Sequence, residues 1–183
     1  MQLRETKEIL NKFGRYVVQQ GRSILAKDKK KGNIYKQFDY VPFQADGFIG
    51  VKFVLPDYAK FVDQGVKGKD PSKVSPNAKI TGQQAPNSPF RFGTGTMRGS
   101  FDKFAKRMSL FAKERNIRFR QGKTGKFAKG GYNSMGYVIA KNIYYRGLKP
   151  TMFFTKPFNK AYENLPPEIQ KAFVTDFEKI IID

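Results

Sequence analysis

Residues 34–55, IYKQFDYVPFQADGFIGVKFVL, decide the fold class. Residues 34–43 and 47–55 are dense in aromatic and β-branched side chains, and Gln44-Ala45-Asp46, with Gly47 just beyond, separates them. That pattern predicts an antiparallel hairpin. Ile49, Val51, Phe53 and Leu55 fall on one face of the second strand, because strand side chains alternate. A hairpin set among helical patterns, without regular alternation, predicts an α+β fold and not a βαβ one.

Upstream, residues 4–26 carry Leu10, Phe13, Val17 and Ile24 at near-helical spacing, with Leu3 just ahead and Tyr16 and Val18 widening the stripe. KDKKKG at 27–32 is a charged exit turn. Downstream, Pro56-Asp57 ends the hairpin and a short piece over 58–62 is stopped by Gly65. Residues 66–96 hold four Pro and four Gly and read as one long loop. Loops of that length are usually functional or ordered by a partner.

A third helix is expected from Ser100, an N-cap, with Phe101, Phe104, Met108 and Phe111 inward. Its other face carries Lys103, Lys106, Arg107 and Lys113. Residues 115–131, RNIRFRQGKTGKFAKGG, read as a short basic hairpin. A fourth helix over about 134–146 places Met135, Val138, Ile139 and Ile143 inward and stops at Gly147 in the left-handed conformation. Thr155 is expected to cap a helix reaching about Asn164, with Pro157 in its first turn. Pro166-Pro167 opens a last helix with Ile169, Phe173, Phe177 and Ile180 in register. The length of 183 residues suggests a single domain with the 66–96 loop and the 115–131 hairpin as insertions.

Composition excludes several chemistries. The chain has no Cys and no His, so disulfides, thiolate metal sites, His-ligated zinc and Ser-His-Asp catalysis are all barred. MQLRETKEIL lacks the apolar core of a secretory signal, and no stretch approaches a membrane span. The expected setting is soluble, intracellular or assembled. Gly122-Lys123-Thr124 imitates the end of a phosphate-binding loop, but Ile117 stands where that loop needs glycine. Residues 93–99 (GTGTMRG) have the wrong spacing for a dinucleotide fingerprint. Asp57, Asp63 and Asp70 lack the downstream Asp/Glu-x-Lys triplet of a metal nuclease, so Asp57 is expected to cap a helix and Asp63 to pair with a lysine.

Charge is the strongest signal. There are 35 Lys plus Arg against 15 Asp plus Glu, a net +20, concentrated in the middle of the chain. Such a field favours polyanions. The candidate polyanion- or channel-facing residues are Arg98, Lys103, Lys106, Arg107, Lys113, Arg115, Arg118, Arg120, Lys123, Lys126 and Lys129. Basic and aromatic residues interleave over 115–132, which suits non-specific contact with a strand more than sequence readout.

Two segments resemble a known family. Tyr58-Ala59-Lys60-Phe61-Val62-Asp63-Gln64-Gly65 resembles the YAxxVExG segment of the tail-completion, or tail-to-head joining, proteins of tailed bacteriophages. Gly147-Leu148-Lys149-Pro150-Thr151-Met152-Phe153-Phe154-Thr155-Lys156-Pro157-Phe158 resembles that family's closing segment, where a Pro-Phe pair opens the C-terminal helix. The order of elements is similar to that of the neck ring proteins of crAss-like phages. The chain departs from the family in having Gln64-Gly65-Val66 for the usual aromatic-Gly-Thr, and in its long 66–96 and 115–131 segments.

The resemblance implies a non-enzymatic α+β virion protein without cofactor or metal. It would be a subunit of a homo-oligomeric ring at the head–tail neck, touching portal or adaptor and tail proteins, with DNA passing through. It would reside in the virion, and in the host cytoplasm during assembly. It further implies that Tyr58 and Phe61 pack inward, that Gly65 makes a turn closed to other residues, and that Phe153, Phe154 and Phe158 dock the C-terminal helices. Ala59, Val62, Asp63, Gly147, Pro150, Thr151 and Pro157 complete the two segments. The alternative is a non-specific nucleic-acid-binding protein, ribosome- or DNA-associated; a Lys/Asp-dependent nuclease is the third and weakest reading.

Overall fold

The computed structural model describes residues 3–27, 32–45, 48–74, 80–94, 100–120, 125–126 and 131–182, the last six by backbone alone. The chain is α+β. Where the sequence suggests one domain, the chain divides into two compact units: Gln64–Pro150 is inserted into a unit made of Met1–Asp63 and Thr151–Asp183.

The first unit is organised by α1 (Arg4–Lys27). Leu10, Phe13, Val17, Val18 and Leu25 are its buried stripe, with Leu25 taking the innermost place and Ile24 half-buried. A short helix α2 (Asn33–Gln37) leads to strands β1 (Asp39–Ala45) and β2 (Phe48–Val54). The first strand therefore begins five residues later than its composition suggests. The reason is local: Ile34 and Phe38 are an i,i+4 apolar pair, both buried, and the Phe38 amide donates to the Ile34 carbonyl at 2.8 Å. A strand would put Lys36 on the same face as Ile34 and Phe38, whereas here it is exposed. The hairpin register pairs Tyr40 with Phe53 and Gln44 with Ile49. Ile49, Val51, Phe53 and Leu55 are half-buried as expected. The turn residues 46 and 47, and 28–31 of the charged exit, lie outside the described residues.

Helix α3 (Ala59–Gln64) follows, then, after the insertion, α6 (Thr155–Tyr162) and α7 (Leu165–Ile182). α6, α7 and both strands pack on α1. An aromatic cluster joins them: Phe13 meets Phe53 and Phe158 at 5.9 and 5.5 Å, and Phe38 meets Phe153 at 5.5 Å, all edge to face. Phe153, Phe154 and Phe158 thus join the core at α6, as expected. In α7 the inward positions are Leu165, Ile169, Ala172 and Asp176, while Phe173 is exposed; the side chains of 177 and 180 are not described.

Tyr58 and Phe61 do not pack inward; they are 44% and 36% exposed. The positions of α3 that bury, four residues apart, are Ala59 and Asp63, which turns both rings outward. Lys60 Nζ lies 5.3 Å from the Phe61 ring centroid.

The second unit contains α4 (Phe101–Glu114) and α5 (Tyr132–Arg146), with a two-residue ladder between β3 (Val66–Lys67) and β4 (Gly147–Leu148). Gly65 has φ +71°, and a Cβ there would lie 2.8 Å from the Pro150 nitrogen, so the expected glycine-only turn is present. Gly147 does end α5, but at φ +96°, ψ −176°; this extended region is open to glycine and differs from the left-handed stop expected. Val138 is exposed, while Met135, Ile139 and Ile143 are half-buried. The described part of the 66–96 loop has contacts of its own. Val66, Val74, Ala85 and Phe92 are buried, Lys67 bonds across to Phe90 and Phe92, and the Ser88 hydroxyl donates to the Gly65 carbonyl at 2.8 Å.

Candidate nucleic-acid interface

The charge follows the division of the chain. Gln64–Pro150 holds 19 Lys and Arg against 3 acids (Asp70, Asp102, Glu114), a net +16. The remaining 16 basic and 12 acidic residues leave the first unit at +4. The field therefore belongs to the inserted unit.

Within that unit α4 is oriented by its small residues. A Cβ on Gly136 of α5 would come within 2.6 Å of the Ser109 Cα, so the two helices approach closely there. Ala112 and Ala140 are fully buried beside this contact. Phe92 stacks on Phe104 at 6.4 Å, and Phe101 meets Tyr137 and Tyr144 edge-on at 5.5 and 5.7 Å. With that face covered, Lys103, Lys106, Arg107 and Lys113 are exposed, and none forms an ion pair among the described residues.

Both ends of α4 are built by the sequence. The Ser100 hydroxyl accepts the Lys103 amide at 3.3 Å, the expected N-cap. At the other end Asn116 takes φ +51°, with the Ile117 amide bonded to the Ala112 carbonyl and the Asn116 amide to the Lys113 carbonyl. That is a Schellman ending. Residues 115–117 are thus a helix cap, Arg120 takes part in an isolated β-bridge, and residues 121–124 and 127–130, where the turn and most of the second arm of the expected hairpin fall, lie outside the described residues. Arg115 and Arg120 are exposed, Arg118 is half-buried and Lys126 is exposed. Arg115 lies 5.8 Å over the Phe111 ring, which is itself exposed and not inward as its spacing suggests. Arg98, Lys123 and Lys129 lie outside the described residues.

Asp70 is the acid nearest to chemistry in this unit. Its Oδ1 accepts the Ser72 hydroxyl at 2.6 Å and the Ser72 amide at 3.2 Å, capping a 3-10 turn (Pro71–Lys73). The Ser72 hydroxyl chiefly holds the Asp70 carboxyl below its ordinary 3.8; desolvation opposes this, and the Ser72 amide, Lys73 and Lys69 add to it.

In the first unit Asp63 is structural. Asp63 does not pair with a lysine. Its Oδ1 accepts the amides of Phe154 and Thr155 at 2.8 and 3.2 Å, and its Oδ2 accepts the Thr155 hydroxyl. Thr155 is accordingly the first residue of α6 and not its cap; Asp63 caps it from outside. Asp57 is exposed in the turn ahead of α3. Among the described residues no three acids gather into a cluster that could hold a metal.

The two resembling segments are brought together. In the first unit the Thr151 amide and hydroxyl both donate to the Val62 carbonyl, at 3.1 and 2.9 Å, and the Met152 amide donates to the Asp63 carbonyl at 2.9 Å. In the second unit Val66 pairs with Leu148 and Lys67 with Gly147. Ala59, Phe153 and Pro157 are buried; Val62, Pro150, Thr151, Phe154 and Phe158 are half-buried.

Sequence reasoning missed a second carboxylate of this kind. Asp176 on α7 accepts the Glu5 amide at 3.0 Å and both the amide and hydroxyl of Thr6 at 2.9 Å, capping α1. The available signal was an acid on the apolar stripe of α7, in register with Leu165, Ile169 and Ala172. No family model matches the chain, and neither a curated protein nor a solved structure matches it.

Proposed function

We propose that this chain is a non-enzymatic structural subunit of a tailed-bacteriophage virion, forming a ring at the head–tail neck through which DNA passes. The observation that carries the assembly part is the outer face of the hairpin. Val41, Phe43 and Val54 are exposed there, and Phe48 is 73% exposed. By the register they lie on the face opposite Tyr40, Val51 and Phe53, so one side of the hairpin joins the core and the other is an uncovered apolar surface. Patches of this kind mark interaction sites. The resemblance of 58–65 and 147–158 to the tail-completion family supplies the setting, and the hydrogen bonds between those segments support treating them as one feature.

Native mass spectrometry tests the reading. The purified chain is expected to form a closed oligomer that persists at about 1 M salt, where surface charge is screened within ~3 Å. Phe43→Ser with Phe48→Ser is expected to yield folded monomers. A wild-type chain that stays monomeric up to its solubility limit sinks the ring. The net +16 of the inserted unit favours a second reading, a non-specific nucleic-acid-binding protein; that reading requires complexes that form only with nucleic acid and dissolve in high salt.

A further inference from the structure

We infer that the exposed face of α4 binds the phosphate backbone of duplex DNA without reading its sequence. The inference rests on the neck reading only for the source of the duplex. Four cations that make no ion pair among the described residues, Lys103, Lys106, Arg107 and Lys113, share the helix side left uncovered by the α4–α5 contact. From Lys103 to Lys113 the helix rises ~15 Å at 1.5 Å per residue. Along one DNA strand that spans about four phosphate steps, one every ~3.4 Å. The helix sits in a unit with only 3 acids among its residues, so the long-range field reinforces the local row.

An acidic protein is the weaker fit for this face. Protein interfaces deplete lysine and place apolar or aromatic residues at their centre. Here three of the four cations are lysines, and the one apolar side chain among them, Leu110, is 62% exposed. Base readout is also a poor fit: α4 has no Asn or Gln, three of the four cations are lysines that act as point charges, and Arg107 alone has the planar fork that reads a guanine edge.

The test is fluorescence anisotropy of the full chain with a labelled mixed-sequence duplex, between about 0.05 and 0.2 M salt. Each phosphate contact contributes ~0.9 to the slope of log K against log salt, so Lys103→Gln with Lys106→Gln and Lys113→Gln should lower the slope by about 2.7. Single variants at Lys106 and Lys113 should each lower it by about 0.9, which keeps the reading available if the triple variant folds poorly. The control removes three exposed cations of the first unit, Lys7, Arg15 and Lys36, and should leave the slope nearly unchanged. Equal losses in both sets, or no loss on α4, overturn the proposal. So does displacement of the duplex by polyglutamate at equal charge concentration, which would assign the face to an acidic protein. Native mass on the same samples separates the two claims: a wild-type chain that forms no ring while the α4 variants still lower the slope counts against the neck, and a ring that forms while the α4 variants leave the slope unchanged counts against α4.

Discussion

The carboxylate of Asp63 accepts the hydroxyl of Thr155, 92 residues further along the chain, and also the amides of Phe154 and Thr155. The contact sits where the first unit is interrupted: Asp63 is its last residue before the insertion and Thr151 its first after. A negative charge at the amino end of α6 meets the unpaired amides and the positive end of the helix dipole. The local fold of α3 and the start of α6 are thereby joined through one side chain.

Asp63→Ala is expected to lower unfolding stability by about 2–4 kcal/mol, because three donors lose a charged acceptor in a buried place. Asp63→Asn keeps one acceptor oxygen and should cost about 1–2 kcal/mol. Urea unfolding followed by circular dichroism measures both. An alanine variant within ~0.5 kcal/mol of wild type would mean that the cap is replaceable by water.

Asp176 repeats the device on α1, and here a double-mutant cycle is the sharper test. Thr6 and Asp176 are 1% and 2% exposed and bonded through hydroxyl and amide. Thr6→Val should cost about 1 kcal/mol and Asp176→Asn somewhat more. Their coupling should lie within the 0.5–3 kcal/mol range of directly bonded pairs. Strict additivity would show that Asp176 serves α1 only through backbone amides.

These two carboxylates mark where the sequence was legible and where it was not. Periodicity places α1, α4, α5 and the inward face of β2, because those patterns are set by burial along one element. Ser100 and Gly65 are readable because their roles are local. Asp63 and Asp176 are not: each serves a helix whose partner residue is 92 or 170 positions away, and a lone acid in an apolar register has no local explanation. The resemblance implies that Tyr58 and Phe61 pack inward, but Ala59 and the acid between helices claim the buried side. The basic row of α4 was legible, whereas its segregation into an inserted unit depends on where the chain leaves and re-enters the first unit.

Ser72 gives a pH-dependent prediction. The Asp70 carboxyl is held below 3.8 in the folded chain, first by the Ser72 hydroxyl. A depressed carboxyl contributes stability above its unfolded value, and loses it as pH falls through the folded one. Ser72→Ala should therefore move the Asp70 titration upward, towards 3.8, in a side-chain NMR titration. The two proteins should differ at neutral pH and converge once the solution is acid enough to protonate Asp70 in both. An unchanged Asp70 midpoint in Ser72→Ala would assign the depression to the Ser72 amide, Lys73 and Lys69 instead.

Two phenylalanines of the first unit should respond oppositely to the same change. Phe153 is fully buried, and its ring meets Phe38 edge-on at 5.5 Å. Phe153→Ala should cost about 3–5 kcal/mol, from lost burial and the cavity left behind. Phe48 stands on the outer hairpin face with most of its surface in solvent, so Phe48→Ala should change the monomer's stability by less than ~0.5 kcal/mol. If that face carries the subunit contact, Phe48→Ala should instead weaken oligomer formation, read as a shift of the dilution midpoint in mass photometry. Phe153→Ala, assayed at a temperature where it remains folded, should leave that midpoint close to wild type. A Phe48 variant that assembles normally moves the contact off the hairpin, because no other large apolar side chain described on its outer face is as exposed.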